Sequence, residues 1–240
     1  MRGATGLRIV FGHQSVGFDI LAGIGDLEAA TPADERLQIA RSTSADALQR
    51  PSLVHFQIGK NGDPYSKLEA WRSAMLGGFG GRADVALFKF CFDDIAADTD
   101  IDRLFAAYRM TAEDLQVRFP TTVFVHVTIP LTTLQGGVKG TVKRVLGRPV
   151  GEELENVRRE AFNDRLRAQY RGHAPLFDLA AFESEWPDGR LETFSHGGKD
   201  VRALVPIYTV DGGHLNALGR ATMAARFLEV VADQARLQSN

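Results

Sequence analysis

Short apolar runs alternate with longer amphipathic stretches along this chain, and that order predicts an α/β fold with a mostly parallel, doubly wound sheet between two helical layers. Three observations carry the prediction. Leu7–Phe11 is a β-type run closed by a turn and followed by residues at helical spacing. Asp84–Phe92 is almost continuously apolar, as a strand covered on both faces must be. Thr122–Ile129 is a β-branched run stopped by Pro130.

The elements follow in order. After Leu7–Phe11, the segment Gly12–Gly17 reads as a turn, and Phe18, Ile20, Leu21, Ile24 and Leu27 mark the first helix. Leu37–Ala40 is a weaker strand. A helix-like stretch spans Ser66–Leu76, and Ile101, Leu104, Phe105 and Tyr108 mark one face of another helix. Thr111-Ala112-Glu113-Asp114 has the form of a capping box opening a further helical turn. Glu152–Tyr170 reads as a helix with Leu154, Val157, Ala161 and Phe162 inward. Leu176–Leu179 is a last short strand. Ala217–Arg236 is the terminal helix, with Leu218, Phe227, Leu228 and Val231 inward. Two stretches read as long loops: Leu131–Gly151, carrying Lys139, Lys143, Arg144 and Arg148, and Ala181–Gly213. No composition shift or repeat divides the chain, so residues 1–240 read as one domain.

The 240 residues are 44% hydrophobic and 24% charged, an ordinary globular balance that can bury a large core without staples. A net charge of −2 gives no broad electrostatic case for nucleic acid or an anionic membrane. The single cysteine, Cys91, cannot form an intramolecular disulfide and reads as a small core hydrophobe. No apolar run approaches the roughly 20 residues of a membrane span. Met1–Gly6 is too short and polar for a signal peptide, so the expected compartment is cytoplasmic by default, or exported if a leader has been removed. The oligomeric state is left open.

In parallel sheets, ligands bind at the carboxyl ends of the strands. Ser15 lies just after the first strand, in a glycine-flanked turn opening a helix, where a hydroxyl stands exposed and backbone N–H groups can receive an oxyanion. The plainer reading is a helix cap. Asp211-Gly212-Gly213-His214 precedes the terminal helix. A serine needs a base, histidine supplies one, and a carboxylate can fix its tautomer. The plainer reading there is a polar helix-entry loop.

Taken together, Phe11-Gly12-His13-Gln14-Ser15 and Asp211-Gly212-Gly213-His214-Leu215-Asn216-Ala217-Leu218-Gly219 resemble the SGNH, or GDSL-like, serine hydrolase family. The resemblance extends through element order over nearly the whole chain, although the usual Gly-Asp-Ser is here His13-Gln14-Ser15. It implies a three-layer α/β/α sandwich with a flavodoxin-like sheet. It also implies Ser15, His214 and Asp211 as nucleophile, base and orienting acid. Asn61-Gly62-Asp63 matches the family's glycine block by position, which implies the N–H groups of Ser15 and Gly62 as oxyanion donors. The family's oxyanion asparagine is missing: Phe90-Cys91-Phe92-Asp93-Asp94 stands where it should follow the strand. An ionised Asp93 cannot donate a hydrogen bond. Asn61 is therefore the expected replacement, with two backbone donors alone as the alternative. Lys89 could act electrostatically, or snorkel and pair with Asp93 or Asp94.

His13 and His126 are further pocket candidates, His126 reading more simply as a core histidine. His13 and His196, with Asp211 and His214, would be a nitrogen and oxygen metal site; no tight histidine pair supports it, and neither metal nor cofactor is expected. The expected activity is ester hydrolysis through an acyl-enzyme, on acyl or acetyl esters of small molecules or carbohydrates. The alternatives are a degenerate fold of the same family that binds a glycan without catalysis, and a phosphate or nucleotide binder using the first helix's N-terminus.

Overall fold

Residues 6–134 and 151–238 are described by a computed structural model. Six strands, β1 (Arg8–His13), β2 (Gln38–Arg41), β3 (Ser52–Gln57), β4 (Val85–Phe88), β5 (Val123–Val127) and β6 (Leu176–Phe177), form one sheet. Their spatial order is β2-β3-β1-β4-β5-β6, with every neighbouring pair parallel. Helices α1 (Val16–Ala29), α2 (Pro64–Ala74), α3 (Ile101–Arg118), α4 (Gly151–Tyr170), α5 (Leu179–Glu183) and α6 (Ala217–Gln238) cover it. The expected α/β/α sandwich is the fold observed.

Alternation along the strands builds two cores. Ile9, Phe11, Leu53, Val85, Leu87, Val125 and Val127 face α1, α5 and α6. Val10, Val54, Phe56, Ala86, Phe88 and Phe124 face α2, α3 and α4. After β1 the chain lays down β2 and β3 on one side, then crosses to β4 on the other. The carboxyl end of β1 is thus the switch point, where such sheets leave a crevice.

Several boundaries differ from the sequence expectation. β3 was not anticipated, because Ser52, His55 and Gln57 interrupt its apolar run; it nevertheless lies inside the sheet. The run Asp84–Phe92 pairs only over Val85–Phe88, and Phe90 and Cys91 are buried beyond the paired strand. Thr111 caps nothing: its hydroxyl donates to Ala107 O inside the unbroken α3, whose N-cap is Asp100. Asp178 belongs to the cap of α5 and not to a strand. The expected Ala181–Gly213 loop holds a hairpin, β7 (Thr193–His196) and β8 (Lys199–Arg202), turned by Gly197 and Gly198 at positive φ. Phe18 and Leu218 are exposed rather than inward, and Leu154 and Val157 are half-buried. The basic residues Lys139, Lys143, Arg144 and Arg148 lie outside the described residues.

The buried face of α4 is polar for a backbone reason. Beyond β5 the chain runs on buried, and its peptide groups still need partners. Asn163 accepts from Ile129 N–H (2.7 Å) and donates to Ile129 O (3.0 Å). Asn156 does the same for Thr132, at 3.1 and 2.7 Å. Glu183, fully buried at the end of α5, accepts from Leu131 N–H at 2.8 Å.

Burial pushes the Glu183 carboxyl up to about 8, against the pull of the Leu131 N–H, Lys89 and Arg159. An unfolded glutamate ionises near ~4.3, so between that value and about 8 the folded state holds the extra proton. Stability from this group is complete below the window and is lost as pH rises through it. Glu183→Gln removes the titration and keeps an acceptor for Leu131. Urea unfolding across the window should therefore show the variant gaining stability relative to wild type as pH rises. A constant difference would exclude a protonated Glu183.

Candidate active site

β1 ends at His13, and the turn that follows is fixed from below. Gln14 Nε2 donates to Ile58 O (2.6 Å) and Gly59 O (2.7 Å), tying the turn to the loop after β3. A Cβ at Gly17 would sit 2.4 Å from His13 Nδ1, so only glycine lets α1 begin this close to the buried imidazole. Between these anchors Ser15 adopts φ 51° and ψ −119°, and it alone among the described non-glycine residues has positive φ. Such backbone costs roughly 1–3 kcal/mol and persists only where surrounding structure enforces it. The Ser15 side chain makes no capping hydrogen bond, which sets aside the helix-cap reading.

The hydroxyl turns instead to His214, with Ser15 Oγ 2.7 Å from His214 Nε2. His214 Nδ1 lies 2.7 Å from Asp211 Oδ2. An ionised carboxylate only accepts, so Nδ1 carries the proton, and Nε2 offers its lone pair to the Ser15 hydroxyl. Burial works against the Asp211 charge, but the Gly213 and His214 backbone N–H groups and the His214 ring outweigh it and hold the carboxyl well below the usual range. Asp211 Oδ1 accepts those two N–H groups at 3.0 and 2.8 Å. The turn requires both glycines: Gly212 has φ 95°, and a Cβ on Gly213 would meet the Phe92 ring at 2.9 Å. That ring sits edge-on to His214, centroids 5.4 Å apart.

The rest of the second motif builds the entry to α6. Asn216 Oδ1 accepts from Gly219 N–H, and its amide donates to Ile207 O. Leu215 is buried, and a Cβ at Gly219 would collide with Tyr208 O at 2.4 Å.

The oxyanion side departs from expectation. Gly62 N–H donates to Asp94 Oδ1 at 3.0 Å, so a carboxylate, and not an oxyanion, takes the donor assigned to Gly62. Asp94 Oδ2 accepts from Lys67 Nζ (2.7 Å) and Cys91 N–H (2.6 Å), with both charged side chains fully buried. Lys67 Nζ also donates to Asn61 Oδ1 at 3.0 Å. A lysine has no lone pair to offer, so the Asn61 oxygen must face it and the NH₂ must face away. Among the described residues neither Ser15 N–H nor the Asn61 NH₂ makes a hydrogen bond. Asp93 is exposed.

The remaining candidates lie deeper. Lys89 does not snorkel to Asp93 or Asp94; it is fully buried, and Nζ donates to Phe90 O (3.2 Å) and contacts Cys91 Sγ (3.6 Å). His13 is buried, bonded to His55 at 3.0 Å, and burial together with Lys89 pushes it down to about 2. His126 is a core histidine, 2.7 Å from the Tyr108 hydroxyl and stacked on Tyr170, and burial lowers it to about 4. His196 is exposed on β7, and among the described residues no three His, Cys, Asp or Glu side chains gather as metal ligands. Sequence reasoning missed Lys67, and missed Asp94 as its partner. The sequence offers Asp94 only as a partner for Lys89, and nothing local marks a lysine within a helix as buried.

No protein-family model and no curated protein matches this chain. Solved structures do. An acylhydrolase candidate from Bacteroides fragilis NCTC 9343 matches with a TM-score of 0.58 at 15% identity, over 95% of this chain and 88% of that one. A GDSL-like lipase candidate from Parabacteroides merdae ATCC 43184 matches at 0.52 and 12%, over 93% and 94%. An acetyl xylan esterase matches at 0.51 and 15%, over 93% and 98%. This chain shares their fold, the one its two motifs implied.

Removing one partner of a buried ion pair leaves a charge without compensation and costs about 3–5 kcal/mol. Lys67→Met should therefore destabilise the protein by about that much in urea unfolding. The double change Lys67→Met with Asp94→Asn should recover part of the loss, because no charge is left unpaired and the amide oxygen still accepts a backbone N–H. A loss under about 1 kcal/mol would mean that the pair is not buried as described.

Proposed function

We propose that this chain, with its GDSL-type fold, is a serine ester hydrolase working through an acyl-enzyme. The observation that carries the reading is the unbroken chain from Ser15 Oγ through His214 to Asp211, two contacts of 2.7 Å at the switch point of the sheet. Structural neighbours described as acylhydrolase, lipase and esterase support it.

In this reading Ser15 Oγ attacks the ester carbonyl while His214 Nε2 takes its proton. The negative charge on the carbonyl oxygen is met by Ser15 N–H and the Asn61 NH₂. As the tetrahedral species collapses, His214 returns the proton to the departing alcohol, leaving an acyl group on Ser15. Water, deprotonated by His214, then releases the acid. Asp211 stays ionised, holds the imidazole in the required tautomer and offsets the imidazolium charge. Acyl or acetyl esters, including those of carbohydrates, are the proposed substrate class, and the residues described require no cofactor for these steps.

A panel of p-nitrophenyl esters and acetylated sugars tests the reading. Ser15→Ala should lower kcat by about 10⁴–10⁶. A fluorophosphonate should label Ser15 in wild type. Equal rates for wild type and variant would end the proposal. His214 must be neutral to accept, whereas Asp211 keeps its charge well into acid. Turnover should accordingly rise as pH climbs from the acidic range. Asn61→Ala should lower kcat by about 10²–10³ with little change in KM. Asp93→Ala should cost far less, and the reverse ranking would remove Asn61 from the oxyanion assignment.

A further inference from the structure

At the carboxyl ends of β2 and β3, two neighbours along the sheet from the strand that leads to Ser15, lies a recess of about 530 Å³, lined by Arg41, Ser42, Thr43, Phe56 and Gln57. Arg41 ends β2, and its guanidinium donates to Gln57 Oε1 at 2.7 Å. It lies over the Phe18 ring, 6.0 Å from the centroid. Phe18 is in turn fixed to the nucleophile turn, its N–H donating to Ser15 O at 2.8 Å. Among the described residues Arg41 has no carboxylate partner. A guanidinium carries five N–H donors in a fork suited to two-point binding of a carboxylate, and the protein satisfies only part of it. Burial lowers both neighbouring imidazoles, His55 and His13, and Arg41 is a further cause at each. Among the residues that line the recess, Arg41 alone carries a charge.

Direction decides which part of a substrate reaches it. His214 packs on Phe92, just past β4; in the hydrolase reading it protonates the departing alcohol, which puts the alcohol on the β4 side of Ser15. The acyl chain then runs the other way, over β3 towards β2. Two inter-strand spacings, about 10 Å, separate β1 from β2, and the Arg41 side chain spans part of that gap.

We propose that this recess is an acyl-side anion subsite, in which Arg41 binds the distal carboxylate of an ester formed from a dicarboxylic acid. The inference rests on the hydrolase reading above and narrows its substrate. Turnover in such an ester proceeds as for any other: the serine acylates, the alcohol leaves with the His214 proton, and water releases the diacid.

The test compares mono-p-nitrophenyl adipate and suberate with their neutral methyl-capped counterparts, in wild type and Arg41→Gln. In wild type kcat/KM should favour the charged ester, and added salt should shrink the preference. Arg41→Gln should reduce the charged-to-neutral ratio about tenfold or more, and Arg41→Lys should restore part of it. An unchanged ratio in Arg41→Gln overturns the subsite. An Arg41-dependent preference for the acetate of 4-hydroxybenzoate over phenyl acetate, without one for the half-esters, overturns the acyl-side assignment. If wild type hydrolyses nothing faster than Ser15→Ala, the hydrolase reading fails by itself. Calorimetric titration with adipate then decides the subsite: binding at least tenfold weaker in Arg41→Gln supports it, and equal or no binding in both proteins overturns it.

Discussion

One carboxylate ties the two motifs together. Asp19, buried in the first turns of α1, accepts from Leu215 N–H at 3.1 Å and from the Arg220 guanidinium at 3.1 and 2.8 Å. Ser15 lies four residues before Asp19, His214 immediately before Leu215, and Arg220 on α6. The clamp therefore joins the start of α1 to the start of α6, and the 2.7 Å contact between Ser15 and His214 spans elements almost 200 positions apart in sequence. Gly23 completes the fit one turn on: a Cβ there would meet Arg220 O at 2.4 Å. The two helices touch along their backbones, a geometry that admits little sliding. Hydrogen bonds to charged groups contribute about 1.5–3 kcal/mol each, so this is one of the stronger local constraints available to a fold of this kind.

That rigidity explains how Ser15 can hold an unfavourable backbone. Its φ of 51° is not relaxed by fraying, because the turn is held at each end. Gln14 is tied to the loop after β3, Gly17 is pressed onto His13, and Asp19 anchors the helix beyond. The strain costs less than the contacts that enforce it. The result is a hydroxyl aimed out of the helix and at an imidazole, where a relaxed serine would cap its own helix.

The fold class was legible in the sequence because both-face burial leaves a continuous apolar signature in β4 and β5. The pair Asp211 and His214 was legible because a three-residue spacing with two glycines closes on itself, without reference to distant chain. β3 is hidden because its polar positions have partners elsewhere in the chain: Ser52 donates to Gln49 O, His55 bonds His13, and Gln57 holds Arg41. The buried polar face of α4 was hidden for a related reason. Asn156 and Asn163 satisfy peptide groups of a segment far away in sequence, and no local pattern records which backbone lacks a partner. Lys67 and Asp94 belong to the same class: each looks like a solvated charge until the fold brings the two together.

The acidic pair Asp93 and Asp94 shows how burial sets what a carboxylate does. A carboxylate cannot donate, so neither residue can do what an asparagine amide does for a developing oxyanion. The fold separates them. Asp93 is turned to solvent, where its charge is screened, while Asp94 is buried and compensated by Lys67 and by the N–H groups of Gly62 and Cys91. This arrangement removes Gly62 N–H from the pool of free donors. It also fixes Lys67, whose remaining reach is spent on the Asn61 oxygen, and so turns an amide NH₂ away from the buried pair. The same buried carboxylate that excludes one donor thereby orients another, and the donor it orients belongs to the loop that Gln14 binds beside Ser15.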